Sequence, residues 1–319
     1  MRLRILHHAN CFDGCASAAL FGRFYSEREG TAPEDVEYFP VQHHRGDPFP
    51  PDAFDHADQN AVVDFRYSTS PRLHWWFDHH ESAFQAPGSR ESFEKDTSDQ
   101  KFWDPAAPSC TGFIARVLAE RFDWQPDGLA DLVAWADVID AARFPSAAVA
   151  VRLEEPALRI MTLLEATHDP ALPTRIIRAM AHQPLAEIAA EPWVTAPLAP
   201  ILERHRQSID TVRRLARTDR GVVTFDLSET GLEGANKFIA YDLFPEARYT
   251  VVVSRDPKRC KISVGSNPWA RETRTHDIAK ICERYGGGGH PVVGAVSLDP
   301  DRIADARRIA GEIAEILKA

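Results

Sequence analysis

Three short apolar runs in the first 80 residues each end in residues that bind metals. Leu3-Arg4-Ile5-Leu6 leads into His7-His8-Ala9-Asn10-Cys11-Phe12-Asp13-Gly14, Ala61-Val62-Val63 into Asp64, and the run from Leu73 to Phe77 into Asp78-His79-His80. A parallel strand buried on both faces reads as such a run, and it delivers its functional groups from its carboxyl end, into the crevice where open α/β sheets bind ligands. As neighbouring parallel strands, the three runs would bring His7, Cys11, Asp13, Asp64, Asp78, His79 and His80 to one sheet edge, from separations that no single helix could supply.

The surrounding pattern supports that sheet. Up to Phe144 the chain alternates between strand signals at 2–8, 36–42, 61–65 and 73–78 and helix signals at 14–29, 110–122 and 128–142. Such alternation implies an α/β domain, a parallel sheet with helices on both faces. The polar stretch from Pro87 to Lys101 lacks periodicity and reads as a surface loop, the candidate lid. Residues 156–190 are helical in pattern, and Pro192, Pro197 and Pro200 then punctuate the chain before a helix at 198–217. The expected division is therefore a first domain over 1–190 and a smaller α/β domain with a mixed sheet over 198–319. The second domain carries strand signals at Val222–Leu227, Tyr249–Arg255, Cys260–Ser266 and Ala295–Leu298, a helix at 275–285 and a closing helix whose Ile303, Ala306, Ala310, Ile313 and Leu317 repeat at helical spacing.

Charge separates the two parts. Residues 1–194 hold 17 Lys and Arg against 30 Asp and Glu, whereas residues 195–319 hold 20 against 17. An acidic part suits divalent cations and a mildly basic part suits anions, which fits a small phosphorylated substrate. The net charge of −10 argues against long duplex nucleic acid, whose binding rests on many phosphate contacts. No stretch approaches the roughly 20 apolar residues of a membrane span, and the five cysteines form no C-x-x-C pair, so reduced thiols in a cytoplasmic protein are expected. An oligomer is compatible with all of this.

Carboxylates and imidazoles suit manganese, magnesium, iron or zinc, and Asp64, between the other two strand ends, could bridge two ions. Asp137 and Asp140 lie three apart on one face of a helix whose other face is apolar; Asp137 is taken as a ligand and Asp140 left open. Four glycines, Gly286 to Gly289, precede His290 and would let backbone amides approach an anion. Arg255, Lys258, Arg259 and Lys261 read as a solvated basic face, Trp75, Trp76 and Trp103 as core or loop anchors, and His43 and His44 are left out of the site. No nucleophile elbow is present around Ser68, Ser109 or Cys110.

Together these motifs resemble the DHH phosphoesterase superfamily over nearly the whole length: His7, Cys11 and Asp13 in the opening motif, Asp64 in the second, Asp78-His79-His80 as the namesake tripeptide, Asp137 as the fourth acid and Gly287-Gly288-Gly289-His290 in a second, DHH-associated domain. The resemblance implies a two-metal phosphoesterase, with manganese the first expectation. It implies that His7, position 11 and Asp64 hold one ion and that Asp13, Asp64, His79 and Asp137 hold the other. His80 would contact the scissile phosphate or the attacking water, supported by Asp78, while Gly288, Gly289 and His290 would bind substrate phosphate; Arg274, a basic residue that the sequence alone does not aim, is taken as a further substrate-binding candidate. Substrates implied are short oligoribonucleotides, dinucleotides or bisphosphate nucleotides, with polyphosphate, or binding without hydrolysis, as alternatives. Many relatives carry Asp where this chain has Cys11. A thiolate there would favour zinc or iron; a neutral thiol would weaken the first ion, with Asn10 or His8 as substitutes.

Overall fold

The computed structural model describes residues 1–43, 46–232 and 235–319, so His44 lies outside the described residues. Two compact units divide the chain: 1–144 with 154–199, and 145–153 with 200–319.

The first unit is built on β1 (Leu3–His8), α1 (Phe12–Glu29), β2 (Val36–Val41), β3 (Gln59–Val63), β4 (Trp75–Asp78), α2 (Ser89–Glu94), β5 (Lys101–Trp103), α3 (Cys110–Phe122) and α4 (Ala130–Asp140). Its five strands run in the order β2-β1-β3-β4-β5, all parallel. Strand alternation sends Trp75 and Phe77 toward Phe21 of α1, and Leu6, Val62 and Trp76 into a second cluster with Phe49, Phe54, Phe65 and Tyr67. Both faces are thus covered, which is why the strands read as continuous apolar runs. Trp75 and Trp76 are core residues. Because β1 pairs with β2 on one side and β3 on the other, the sheet's direction of winding reverses between β1 and β3, and a crevice opens at their carboxyl ends.

The stretch from Pro87 to Lys101 is not a bare loop: it contains α2, and its Phe93 packs edge-on against Trp76 and Tyr67. One apolar anchor among polar residues gives no periodicity, but it ties the segment to the sheet.

Next come α5 (Ala147–Arg152), α6 (Pro156–Ala166), α7 (Ala171–Met180), α8 (Leu185–Ala190) and α9 (Pro192–Leu215). The short α5 belongs to the second unit, where Val151 is buried with Val212, Val223 and Ile239 and the Ala150 carbonyl accepts from Asn236. Pro197 and Pro200 do not delay α9, which starts at Pro192 and buries Val194 and Leu198. The remaining elements are β6 (Arg217–Asp219), β7 (Val222–Asp226), α10 (Ile239–Leu243), β8 (Tyr249–Arg255), β9 (Cys260–Ser266), α11 (Ile278–Glu283), β10 (Gly288–His290), β11 (Val293–Leu298) and α12 (Ile303–Leu317). The second sheet is mixed, in the order β10-β11-β9-β8-β7-β6, with only β7 and β8 parallel. No helix among the described residues is long and apolar enough to cross a membrane.

Gly14, in the first turn of α1, lets the helix start directly beneath the end of β1. A Cβ there would come within 2.4 Å of the His8 carbonyl oxygen, a backbone atom that cannot step aside. Gly14→Ala is expected to destabilise the protein by about 1–3 kcal/mol. The check is denaturant unfolding, and an unchanged midpoint would mean that this contact is not tight.

Candidate metal centre

The turn between β1 and α1 carries three candidate ligands. His8 closes β1, Cys11 precedes α1 in extended conformation, and Asp13 lies in the first helical turn. Asp64 follows the last residue of β3 with φ of 53°, in the left-handed region that costs a non-glycine residue about 1 kcal/mol. Its amide still donates to Phe77 of β4, so the strand pairing continues while the side chain leaves the strand's alternation. Asp64 is buried, yet neither carboxylate oxygen has a hydrogen-bond partner among the described residues.

Asp13 is held at the amino end of α3. Its carboxylate accepts from the Cys110 amide at 2.7 Å, the Thr111 amide at 2.9 Å and the Thr111 hydroxyl at 2.6 Å. His79 donates Nδ1–H to the Ala107 carbonyl at 3.0 Å, which turns Nε2 inward, where it can bind an ion once its own proton is displaced. That Nε2 lies 3.4 Å from Asp140, 3.6 Å from Asp64 and 3.8 Å from Asp13. Such spacings are long for hydrogen bonds and suit atoms sharing a cation.

Three overlapping groups result: His8, Cys11 and Asp64; Asp64, His79 and His80; Asp13, His79 and Asp140. The donor set fits divalent ions, and the clearest sign is a buried carboxylate without donors lying between imidazoles. A buried carboxylate without a hydrogen bond is costly unless a cation compensates it, either a metal ion or the protonated imidazoles of His8 and His79 that lie 3.5 and 3.6 Å away. Asp78 does not face this cluster. Its Oδ1 accepts from the amides of His79 and His80 and from Nδ1 of His80 at 2.6 Å, so it fixes the ring that follows it.

Protein atoms alone leave the cluster holding protons. Burial, reinforced by the Asp64 and Asp140 charges, pushes Asp13 well up despite the Thr111 donor. Burial and Asp64 also raise Asp140, and burial, Asp64 and Asp13 push the Cys11 thiol well above its ordinary range. Burial opposes charge on Asp64 and His79, but the two hold each other ionised: His79 and His8 keep Asp64 down to about 2, and Asp64 together with the Ala107 carbonyl holds His79 up to about 10. An ion must displace such protons, so manganese affinity is expected to rise with pH, about tenfold per unit for each proton displaced. Calorimetric titration across the neutral range checks this, and a pH-independent affinity would contradict it.

Two sequence assignments shift by geometry. His8, not His7, groups with Cys11 and Asp64. Consecutive strand residues point to opposite faces, and His7 is buried with Nδ1 against the His8 carbonyl and Nε2 unpartnered; burial pushes it down to about 4. Likewise Asp140, not Asp137, faces His79. Asp137 is taken up by α3: its Oδ1 accepts from Ser109 Oγ at 2.6 Å, and Gly112 lies so close beneath that a Cβ would come within 2.4 Å of it. His43, set aside in the sequence, stacks on Phe65 with ring centres 4.5 Å apart and meets His8 edge-on at 4.8 Å.

In the second unit, Gly288, Gly289 and His290 form β10, and His290 is exposed. Gly289 has φ of 150°, and a Cβ on it would come within 2.2 Å of the Val293 carbonyl, so close pairing with β11 itself demands glycine here. Arg274 is exposed and donates to the His276 carbonyl.

The solved structures with the same architecture decide the family of folds. A pGpG-specific phosphodiesterase, PggH from Vibrio cholerae, matches with a TM-score of 0.71 and 20% identity over 99% of both chains. The chain has the DHH fold. The DHH domain of a member of the s1p family of ribosomal proteins matches with a TM-score of 0.53 and 14% identity over 100% of this chain and 87% of that one. RecJ from Thermus thermophilus, in complex with Mn2+, matches with a TM-score of 0.52 and 16% identity over 99% of this chain and 52% of RecJ. No family model matches the sequence, and no curated protein matches it either.

Proposed function

We propose that the protein is a metal-dependent phosphoesterase that hydrolyses short nucleotide substrates. The observation that carries this reading is Asp64, a buried carboxylate without donors that belongs to ligand groups on both sides. His8, Cys11 and Asp64 would hold one ion, and Asp13, Asp64, His79 and Asp140 the other, with manganese the first expectation. Bound ions would supply a water of lowered pKa and neutralise charge on the phosphate oxygens.

The chain's own groups do the rest. Asp78, buried behind the site, accepts a hydrogen bond from Nδ1–H of His80 at 2.6 Å and so fixes the ring. That hydrogen bond to Asp78 raises His80, so it keeps its proton to higher pH than a free imidazole and can donate to a phosphate oxygen. The α3 amino end fixes Asp13, and the Ala107 carbonyl fixes His79, so neither need reorganise when substrate arrives. Gly288, Gly289, His290 and Arg274, in the second unit, remain candidates for binding a phosphate. The likeness to a pGpG-specific phosphodiesterase supports a nucleotide substrate over polyphosphate.

The test is mononucleotide release from a 5′-labelled diribonucleotide with manganese, for wild type and His79→Ala, beside a polyphosphate chain. Release that chelator and His79→Ala both abolish is expected. Phosphate release from polyphosphate alone would replace the nucleotide reading. Metal bound without hydrolysis of either would leave a nucleotide-binding protein in which Cys11 fails as a ligand.

A further inference from the structure

Beside the metal centre, in the same unit, lies a cleft of about 480 Å³, which falls in the range of small-ligand pockets. Asn10, which lines it, stands between His8 and Cys11 in the β1–α1 turn, so the cleft begins one residue, about 3.8 Å along the chain, from a candidate ligand. Its other walls come from the end of β2, with Phe39 and Gln42, and from the α6–α7 connection, with Thr167, His168 and Asp169.

The chemistry of these walls is unlike that of a phosphate site. Among the described residues that line it there is no Lys or Arg, and Asp169 is an anion. Five of the lining residues are prolines, which give stiff apolar surfaces that lose little freedom on binding. The guanidinium of Arg4 lies over one face of the Phe39 ring, 4.4 Å from its centre, which holds the ring in place. The carboxamides of Asn10 and Gln42 each offer a donor and an acceptor, the pairing that reads base edges. Asp169 is steadied by the Ala171 amide on its Oδ1. A cleft of mixed polar and apolar walls, with two carboxamides and no Lys or Arg among its described lining residues, next to the candidate metal centre, has the character of a site for the uncharged part of a nucleotide.

We propose that this cleft is a nucleobase subsite, holding the base of the nucleotide whose phosphate is at the metal centre. The assignment rests on the phosphoesterase reading but is tested apart from it, by binding. Probes are guanosine and adenosine 5′-monophosphate, with ribose 5-phosphate as the base-free control, titrated calorimetrically against manganese-loaded protein. Wild type is expected to bind at least one mononucleotide about tenfold or more tighter than ribose 5-phosphate. Thr167→Trp, which fills the cleft, should abolish that difference while leaving ribose 5-phosphate and manganese binding unchanged; Gln42→Ala should reduce it in part. Equal affinities in wild type, or mononucleotide binding untouched by Thr167→Trp, would overturn the subsite. Base-dependent binding without any diester hydrolysis would uphold the cleft and defeat the enzymatic reading, so the two failures are distinguishable.

Discussion

Asp64→Asn is expected to reduce hydrolysis by a factor on the order of 10³ or more and to cut bound manganese from two ions per chain to one at most. The size follows from position: removing a partner of a metal ligand costs about 10–100-fold, and Asp64 is itself a candidate ligand on both sides of the cluster. Asparagine is the right replacement because φ at this position is 53°, a conformation Asn tolerates better than Ala, so backbone strain is not added to the loss of charge. Two readouts separate chemistry from folding. With chelator present, the variant should unfold within a few degrees of wild type. Added manganese should raise the wild-type Tm and leave the variant's almost unmoved, since an ion stabilises in proportion to its binding. A variant that retains two ions, or most of the activity, would show that Asp64 is not shared.

Much of this centre was legible because its scaffolding is legible. Strands buried on both faces advertise themselves as apolar runs, so β1, β3 and β4 could be placed from Leu3, Ala61 and Leu73 onward, and their closing His and Asp residues followed. The same burial hides orientation. In β1 both faces are apolar, Ile5 on one and Leu6 on the other, so nothing in the pattern says whether His7 or His8 faces the site. The short β5 and α2 were invisible for a different reason: Lys101-Phe102-Trp103 is only half-buried, and α2 depends on Phe93 reaching Trp76, a contact distant in sequence. His43 follows a strand-like run and so could line the cleft, but sequence did not decide it, because its partners, Phe65 and His8, come from other strand ends. The placement of α5 in the second unit likewise rests on contacts with residues more than 50 positions away, such as His205 with the Val151 carbonyl.

The choice between Asp137 and Asp140 exposes the same limit and gives the second large effect. Three residues apart on α4, they share a face but are offset by about 4.5 Å along the helix axis, at 1.5 Å per residue. The sequence pattern makes an acid from this helix a candidate for the centre; only packing fixes which turn is level with His79. Gly112 fixes it, because the absence of a side chain there lets α3 press against Asp137 and spend that carboxylate on Ser109. Asp140, one turn on, is left to His79 at 3.4 Å. Asp140→Asn should therefore lower hydrolysis by about 10²-fold, the cost of losing a ligand charge while the other ligands remain, and weaken one manganese site with little change in stability. Asp137→Ala should do the reverse. Losing the Ser109 bond would cost about 1–3 kcal/mol of stability, with activity at saturating manganese within tenfold of wild type. Steady-state rates and denaturant midpoints on the two variants decide it. An inactive Asp137→Ala beside an active Asp140→Asn would mean that α4 presents its other turn to the metals, and would restore Asp137 as the ligand.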